Sequence, residues 1–509
     1  MPIFPQGSLN TTALTVPGVY VQIVPPQFLI NGVPSNILGL VGTATWGPVG
    51  SPQIAGNLGQ FTALFGPYAN RLFDMGTSAA IAFQQGATAI MGVRVTDGTD
   101  VAATIVVQST CITFTSKYSG TFGNQIVVSV GPGSAAGTFQ VKIAAPGLAP
   151  EIFDNIAGSA NALWVAMAAA INSGTAQRGP SQIIVATAGA GTTAPTTASY
   201  TLASGTDGTT TITGTTMLGV DTVPRKGMYA LRGKGCSIGL LCDLTDSTTW
   251  ATQVTFGLGE GVYMVTSTVS GDNPTTAATT KSTAGVDSYA MKIMLGDWCY
   301  WNDTLNGVPQ RLVPPSAFVA GKLSALSPQN STLNKQINSV VGTQKSATGV
   351  PYTSADIQVL AAAGIDVICN PVPGGNYFGC ALGHNSSSNA VIHGDNYTRM
   401  TNYIATTLNS AMGIYVGLLN SQKTQRQAKV TLDSFLANLQ QQELIGSSDG
   451  SVPYFVEIDA ANNPQSRVAL GYLQANVQVK YFSIIEYFLI NLEAGQSVQI
   501  TSTGVSFAI

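Results

Sequence analysis

The sequence predicts a multidomain α/β (α+β) protein: a layered core, discontinuous along the chain, with an inserted β-rich domain and extended, strand-forming terminal arms. Three observations predict it. The chain has 509 residues, enough for roughly three domains. Residues 225–380 alternate strand-like apolar runs with helical ones, the pattern of a layered core. Residues 97–222 break that pattern with a texture rich in Thr, Gly, Ser and Ala. The expected division is an arm at 1–24, core at 25–96, insertion at 97–222, core again at 223–395, a C-terminal domain at 396–490 and a second arm at 491–509.

In the first arm, Val19, Val21 and Ile23 alternate with Tyr20 and Gln22, as in an extended strand, and Pro25-Pro26 stops it. Ile37–Gly42 reads as a short buried strand. Asn57 followed by Gln60 fits a capping box that opens a helix through Phe61 and Leu64, ended by Gly66-Pro67. Met75–Gln84 is small and helical, closed by Gly86, and Ala89–Val95 is a buried strand.

In the insertion, Ile126–Val130 and Phe139–Ile143 are β-type runs, one apolar helix is expected near 157–172, and the Thr/Gly tracts at 189–216 read as outward hairpins or loops. In the returning core, strands are expected at Ser237–Cys242, Gly261–Thr266 and Ala290–Leu295, and helices at Trp250–Leu258 and Ser331–Val341. Thr353 with Asp356 caps a further helix that runs to Gly364, before a strand at Ile365–Cys369.

The last fifth is more regular. Tyr397, Met400, Ile404 and Leu408 form one helical stripe, and Leu432, Phe435, Leu436 and Leu439 form a second at i, i+3, i+4 and i+7. Strand-like runs follow at Tyr454–Ile458, Arg467–Val479 and Ser483–Asn491. In the second arm, Val498 and Ile500 share one parity and Val505, Phe507 and Ile509 the other, with Gly504 near the switch.

Charged residues make up 9% of the chain, against about 25% in an ordinary soluble domain, and net charge is only -3. Neither a basic nucleic-acid footprint nor a polybasic membrane patch is therefore expected. Mean hydropathy is high, +0.24, yet no run of about 20 apolar residues is present to span a bilayer. The nearest candidate, Ala162–Ile171, is too short and reads as a buried helix. The opening MPIFPQGS lacks the basic and apolar pattern of a secretion signal. High apolarity without a span has two explanations: a large covered core, or extensive interface between subunits that few like charges keep apart. Six cysteines occur singly, without a CxxC pair, so no metal or redox motif and no cofactor is expected.

A catalytic triad needs Ser, His and Asp in one place. The chain has two histidines, His384 and His393, both expected in loops, and no G-x-S-x-G elbow is expected. Two histidines alone make a poor metal site. Gly227–Lys234 has five residues between its glycines rather than the four of a phosphate loop, and Gly257–Gly261 has the wrong spacing for a dinucleotide fingerprint. GPGSAAG at 131–137 reads as a hairpin loop.

Both termini are nearly uncharged apolar strands, which proteins seldom leave exposed. Two pairings satisfy them: within the same subunit, or on the sheet edge of a neighbour. Each arm gives little net energy alone, whereas a lattice in which every subunit donates and receives gains by multivalency.

Eight short segments, in order, resemble the contractile phage tail sheath family. They are PGVYV at 17–21, ILGLVGTATWGPVGSPQ at 37–53, NLGQFTALFG at 57–66, AFQQGATAIMGVRV at 82–95, YSGTFGNQIVVSV at 118–130, LVPPSAFVAGKLSALS at 312–327, GVPYTSADIQVLAAAGIDVI at 349–368, and the region from about 399 to 500. One departure is GCALGHNSS at 379–387, where many relatives carry Ala-Arg-Thr after a Gly.

The resemblance implies a structural protein without catalytic activity or cofactor, its middle region subtilisin-like without catalytic residues. It implies a helical homopolymer of stacked hexameric rings around a tail tube protein, with baseplate and tail terminator proteins as further partners. Such a sheath sits in the virion, is assembled in the host cytoplasm, and contracts to drive the tube through the host envelope. The insertion would face outward and the C-terminal domain the tube. Val19, Tyr20, Val21, Ile23, Val498, Ile500, Val505, Phe507 and Ile509 would form strands between subunits. The basic cluster Lys423, Arg426 and Lys429 reads either as a solvated helix face or as a tube-facing contact. A phage-derived bacteriocin or injection device is the alternative of the same class. A receptor-binding virion protein, using 97–222, is the alternative of another.

Overall fold

The computed structural model describes residues 3–4, 21–22, 30, 32–492 and 494. Its centre is a six-stranded sheet in the order Met291–Met294, Tyr263–Ser267, Ile238–Leu241, Ile37–Gly42, Ala89–Arg94, Gln53–Ala55. The first five strands run parallel, and Gln53–Ala55 pairs antiparallel at the edge. Ile238 lies opposite Leu38, so the sheet closes over the whole intervening insertion. Ile238–Leu241, Tyr263–Ser267 and Met291–Met294 are buried along their full length. The wholly apolar IGLL of Ile238–Leu241 is what a parallel strand covered on both faces requires, while Met291–Met294 carries Lys292 into the interior.

Helices Met75–Gln84 and Pro315–Ala325 pack together against this sheet. Gly321 makes the approach possible, because a Cβ there would lie 2.6 Å from Ala82 Cα. Asn57 caps Leu58–Phe65 by accepting from Gln60 N at 2.9 Å, but Gln60 Oε1 accepts from Gly56 N rather than from Asn57. The reciprocal half of the expected box is thus displaced by one residue. Thr353 and Asp356 form the full box at the start of Ser354–Ala363, and Gly364 ends that helix at φ 63°.

A second apolar cluster lies within residues 103–202, with Trp46 added from the core. It is formed by a four-stranded and a three-stranded antiparallel sheet and the helix Ala160–Ser173. Trp46 meets Tyr118 and Phe122 edge-on, each at 5.3 Å between ring centroids. Charge reinforces the junction. Arg94, fully buried, donates to Gly47 O at 2.8 Å and Ser119 O at 2.7 Å, and the Arg71 guanidinium pairs with Asp207. GPGSAAG forms the expected hairpin loop between Val127–Pro132 and Phe139–Ala144. The tract from 189 is tied down at its start, where Trp164 Nε1 donates to Thr193 O at 2.9 Å. Met217, near its end, is buried in the main core.

A third cluster joins helices Asp395–Ala411 and Gln422–Gln441 through Met400, Ile404, Leu432, Phe435, Leu436 and Leu439, and includes Ile30. Three expected elements differ. Residues 331–341 are irregular rather than helical: Leu333 bridges Cys380, Gln336 bridges Gly379, and Asn334 and Ser339 adopt positive φ. The apolar spacing of that stretch is helical, but its backbone is taken by tertiary partners. Arg467–Val479 is not one strand. It holds the end of a one-turn helix, Gln465–Val468, and a strand, Asn476–Val479, paired with Tyr454–Glu457. Ser483–Asn491 has no strand pairing among the described residues.

Asp243, just past the central strand, sits at φ 56° and accepts from Phe73 N at 2.9 Å. Burial pushes its carboxyl up to about 7, against a smaller opposing effect of Arg311. A raised folded value contributes stability that is full below the unfolded value of 3.8 and is lost as pH rises through 7. Asp243→Asn keeps the acceptor, removes the buried charge and tolerates the left-handed backbone. It should stabilise the chain by on the order of 1 kcal/mol at about pH 8 and not at about pH 4, read from urea midpoints.

Candidate assembly site

Lys292 organises the contact between the central sheet and the C-terminal helices. Its ammonium lies 2.7 Å from Asp366 Oδ2 and 3.0 Å from Asp395 Oδ1, and all three side chains are fully buried. Each belongs to a different piece: a sheet strand, the loop before Ile368–Cys369, and the first residue of helix Asp395–Ala411. The carboxylates are satisfied further. Asp366 accepts from the backbone N–H groups of Val367, Leu382 and Gly383 at 2.8, 3.0 and 2.8 Å. Asp395 accepts from Tyr263 Oη at 2.6 Å and from Thr332 N at 3.2 Å. Burial would raise the Asp395 carboxyl, but Lys292, Thr332 and Tyr263 hold it below its ordinary value. Burial would lower the Lys292 ammonium, but Asp366 and Asp395 hold it above. Arg399, one turn further along the helix, donates to Ser327 O and Leu326 O at 3.0 and 2.8 Å, beyond the end of Pro315–Ala325.

The third ammonium hydrogen bond goes to the carbonyl of His384, at 3.0 Å. This fixes the loop GCALGHNSS at 379–387. His384 and His393, read from sequence as separate loop residues, are stacked, with ring centroids 3.8 Å apart. Glu486 joins them, its Oε1 at 3.1 Å from His384 Nε2 and 3.6 Å from His393 Nε2. Burial first, and the neighbouring His384 second, lower the His393 value, while Glu486 opposes them. Sequence reasoning missed this trio because Glu486 is about 100 residues away in the chain.

Glu486 stands at the root of an exposed run with no strand partner among the described residues. Ile485, Tyr487, Phe488, Leu489, Ile490 and Leu492 are between 75% and 89% exposed. Large apolar side chains exposed side by side mark a surface made to be covered. Of the nine predicted arm residues, only Val21 falls among the described residues, in Val21–Gln22, which pairs in parallel with Ile3–Phe4. Val19, Tyr20, Ile23, Val498, Ile500, Val505, Phe507 and Ile509 lie outside them.

Lys423, Arg426 and Lys429 lie on helix Gln422–Gln441, capped by Ser421, with Lys423 and Arg426 exposed and Lys429 half-buried. They make no ion pair among the described residues, and the first turn holds no acid. Lys423 stands in the first turn of the helix, where a cation opposes the helix dipole, and Arg426 and Lys429 lie beyond that turn.

A G-x-S-x-G spacing is present at Gly235–Gly239, contrary to the expectation that no such serine exists. Ser237 leads into the strand Ile238–Leu241 and its hydroxyl donates to Ile37 O at 3.2 Å. A nucleophile elbow instead leaves a strand for a helix. Gly227–Leu231 is a 3-10 turn, and Gly257–Gly261 lies at the end of helix Trp250–Glu260.

Replacing Lys292 by Met would leave two buried carboxylates facing each other. The variant should lose about 3–5 kcal/mol of unfolding free energy at neutral pH. In the wild type, the Asp395 contribution is present above 3.8 and lost as pH falls below it through the depressed folded value. The Lys292 contribution is complete below 10.5 and lost as pH rises through the raised folded value. Denaturant titrations across pH check both limbs.

No protein-family model matches the sequence, and no curated protein matches it significantly. Solved structures do match in shape. A sheath tail protein of Desulfitobacterium hafniense aligns at 17% identity and TM-score 0.58, over 87% of this chain and 94% of that one. A sheath tail protein of Listeria innocua aligns at 14% and 0.60, over 84% and 89%. The contracted helical sheath of the anti-feeding prophage aligns at 14% and 0.54, over 95% and 100%. This chain has the fold of the sheath proteins of contractile tails and contractile injection systems.

Proposed function

We propose that the chain is a sheath subunit of a contractile phage tail, which polymerises helically around a tail tube and contracts to drive the tube through the host envelope. The observation that carries this reading is the run 485–492: six large apolar residues, exposed and without a strand partner among the described residues. A strand with apolar residues on both sides is stable only when a second sheet receives it. A sheath, whose fold the chain shares, supplies such a sheet from the next subunit. Repetition through the polymer multiplies a small energy per arm. The parallel centre of the core supports the subtilisin-like description of its middle region. Work of contraction needs two lattice packings, the contracted one lower in free energy, and the arms keep neighbours joined while the bodies move.

The cluster Lys423, Arg426 and Lys429 is assigned to the tube-facing surface, because Lys423 and Arg426 are exposed and none of the three makes an ion pair among the described residues. A sheath of an injection device is the second reading. The nearly complete alignment to the anti-feeding prophage sheath favours it, and the genes beside this one, capsid or toxin, would separate the two.

Ending the chain after Glu486 should leave the thermal midpoint of the body almost unchanged and abolish tubular polymers in negative-stain images. Truncated protein that still forms tubes would remove the arm from the account. Lys423→Glu with Arg426→Glu should preserve self-assembly but weaken polymerisation on isolated tail tubes. Normal sheathing of tubes by this variant would remove the tube-facing assignment.

A further inference from the structure

The trio at the root of the exposed run has a geometry that arm docking alone does not require. His384 is held from both directions: its carbonyl by Lys292 Nζ, and its backbone by an antiparallel bridge to Gly394. His393 precedes Asp395 by two residues, and its carbonyl accepts from Asn385 N at 2.6 Å. Both imidazoles are therefore carried on backbone fixed by the buried ion cluster. His384 is only 7% exposed, its Nδ1 has no hydrogen-bond partner, and Glu486 is the ring's one polar partner among the described residues.

One carboxylate oxygen faces two ring nitrogens at once, at 3.1 and 3.6 Å, and the three donor atoms lie within 4.8 Å of one another. Zinc binds His nitrogen and carboxylate oxygen at about 2.0–2.2 Å in a tetrahedron, whose edges are then about 3.3–3.6 Å. The 3.6 Å edge meets that range and the 3.1 Å edge is slightly shorter. The rings, stacked at 3.8 Å, must part by a turn of the half-buried His393 for both Nε2 lone pairs to reach one ion. Two imidazoles and a carboxylate suit a borderline ion of the Zn²⁺ class, not the all-oxygen preference of Mg²⁺ or Ca²⁺.

We propose that His384, His393 and Glu486 form a site for one divalent ion of the Zn²⁺ class, with its fourth position left to water. The ion fastens residues 480–486 to the body and so sets the point at which the exposed run departs.

The test uses tag-free, metal-stripped, unpolymerised chain, so its failure leaves the sheath reading untouched. Titration with Co²⁺ should give the visible absorption of a four-coordinate centre at one ion per chain, and Zn²⁺ should displace it. Glu486→Gln, on the unpaired segment, and His393→Ala, at a partly exposed ring, should each weaken Zn²⁺ binding in calorimetry. The loss should be at least the roughly 10–100-fold that removal of an outer-shell partner costs. Circular dichroism confirms that both variants keep the fold. Wild-type protein that takes up no Co²⁺, or binding that both substitutions leave unchanged, overturns the site.

Discussion

One buried ammonium holds the molecule's two largest decisions together. Lys292 enters from the central sheet and binds Asp366 and Asp395, which come from the segment beyond that sheet and from the first C-terminal helix. Removing three charges from water is costly, and their mutual attraction offsets it only when every remaining lone pair is met. Here the backbone N–H groups of residues 367, 382 and 383, with Tyr263 and Thr332, meet them. An apolar contact could slide; this one has a single register. The helix that begins at Asp395, the His384 loop and the root of the exposed run all take their positions from it.

The same economy of charge runs through the molecule. The chain carries few charged residues, and several of those it has are interior: Arg94, Lys292, Arg311, Asp366, Asp395 and Arg399. Arg94, with Arg71 and Asp207, fastens the β-rich insertion to the core much as Lys292 fastens the C-terminal helices. The charge left for the surface is correspondingly sparse, and a sparsely charged surface with an exposed apolar run favours association over separation.

Some elements were legible because local chemistry and tertiary demand agree. Asn57 and Thr353 cap the helices their side chains announce, the all-apolar run at 238–241 is a buried parallel strand, and Leu432, Phe435, Leu436 and Leu439 turn one face inward. Others were not. Residues 331–341 have helical apolar spacing, yet Thr332 and Asn334 are claimed by Asp395 and Cys380 from distant parts of the chain. Ser483–Asn491 has the alternation of a strand and finds no strand partner among the described residues. The G-x-S-x-G spacing at 235–239 shows the reverse fault, a motif without its setting, since Ser237 leads into a strand.

The sequence by itself determined the two textures of the chain, the caps and faces of its helices, the buried strands and the apolar character of its end. Each rests on neighbours within about one turn or one strand, where side-chain type and backbone preference act directly. Only the tertiary structure decided that Lys292, Asp366 and Asp395 share one interior point, and that His384, His393 and Glu486 meet. Those contacts join residues roughly 10–100 positions apart, and no local preference encodes which distant partner a buried charge or an imidazole will find.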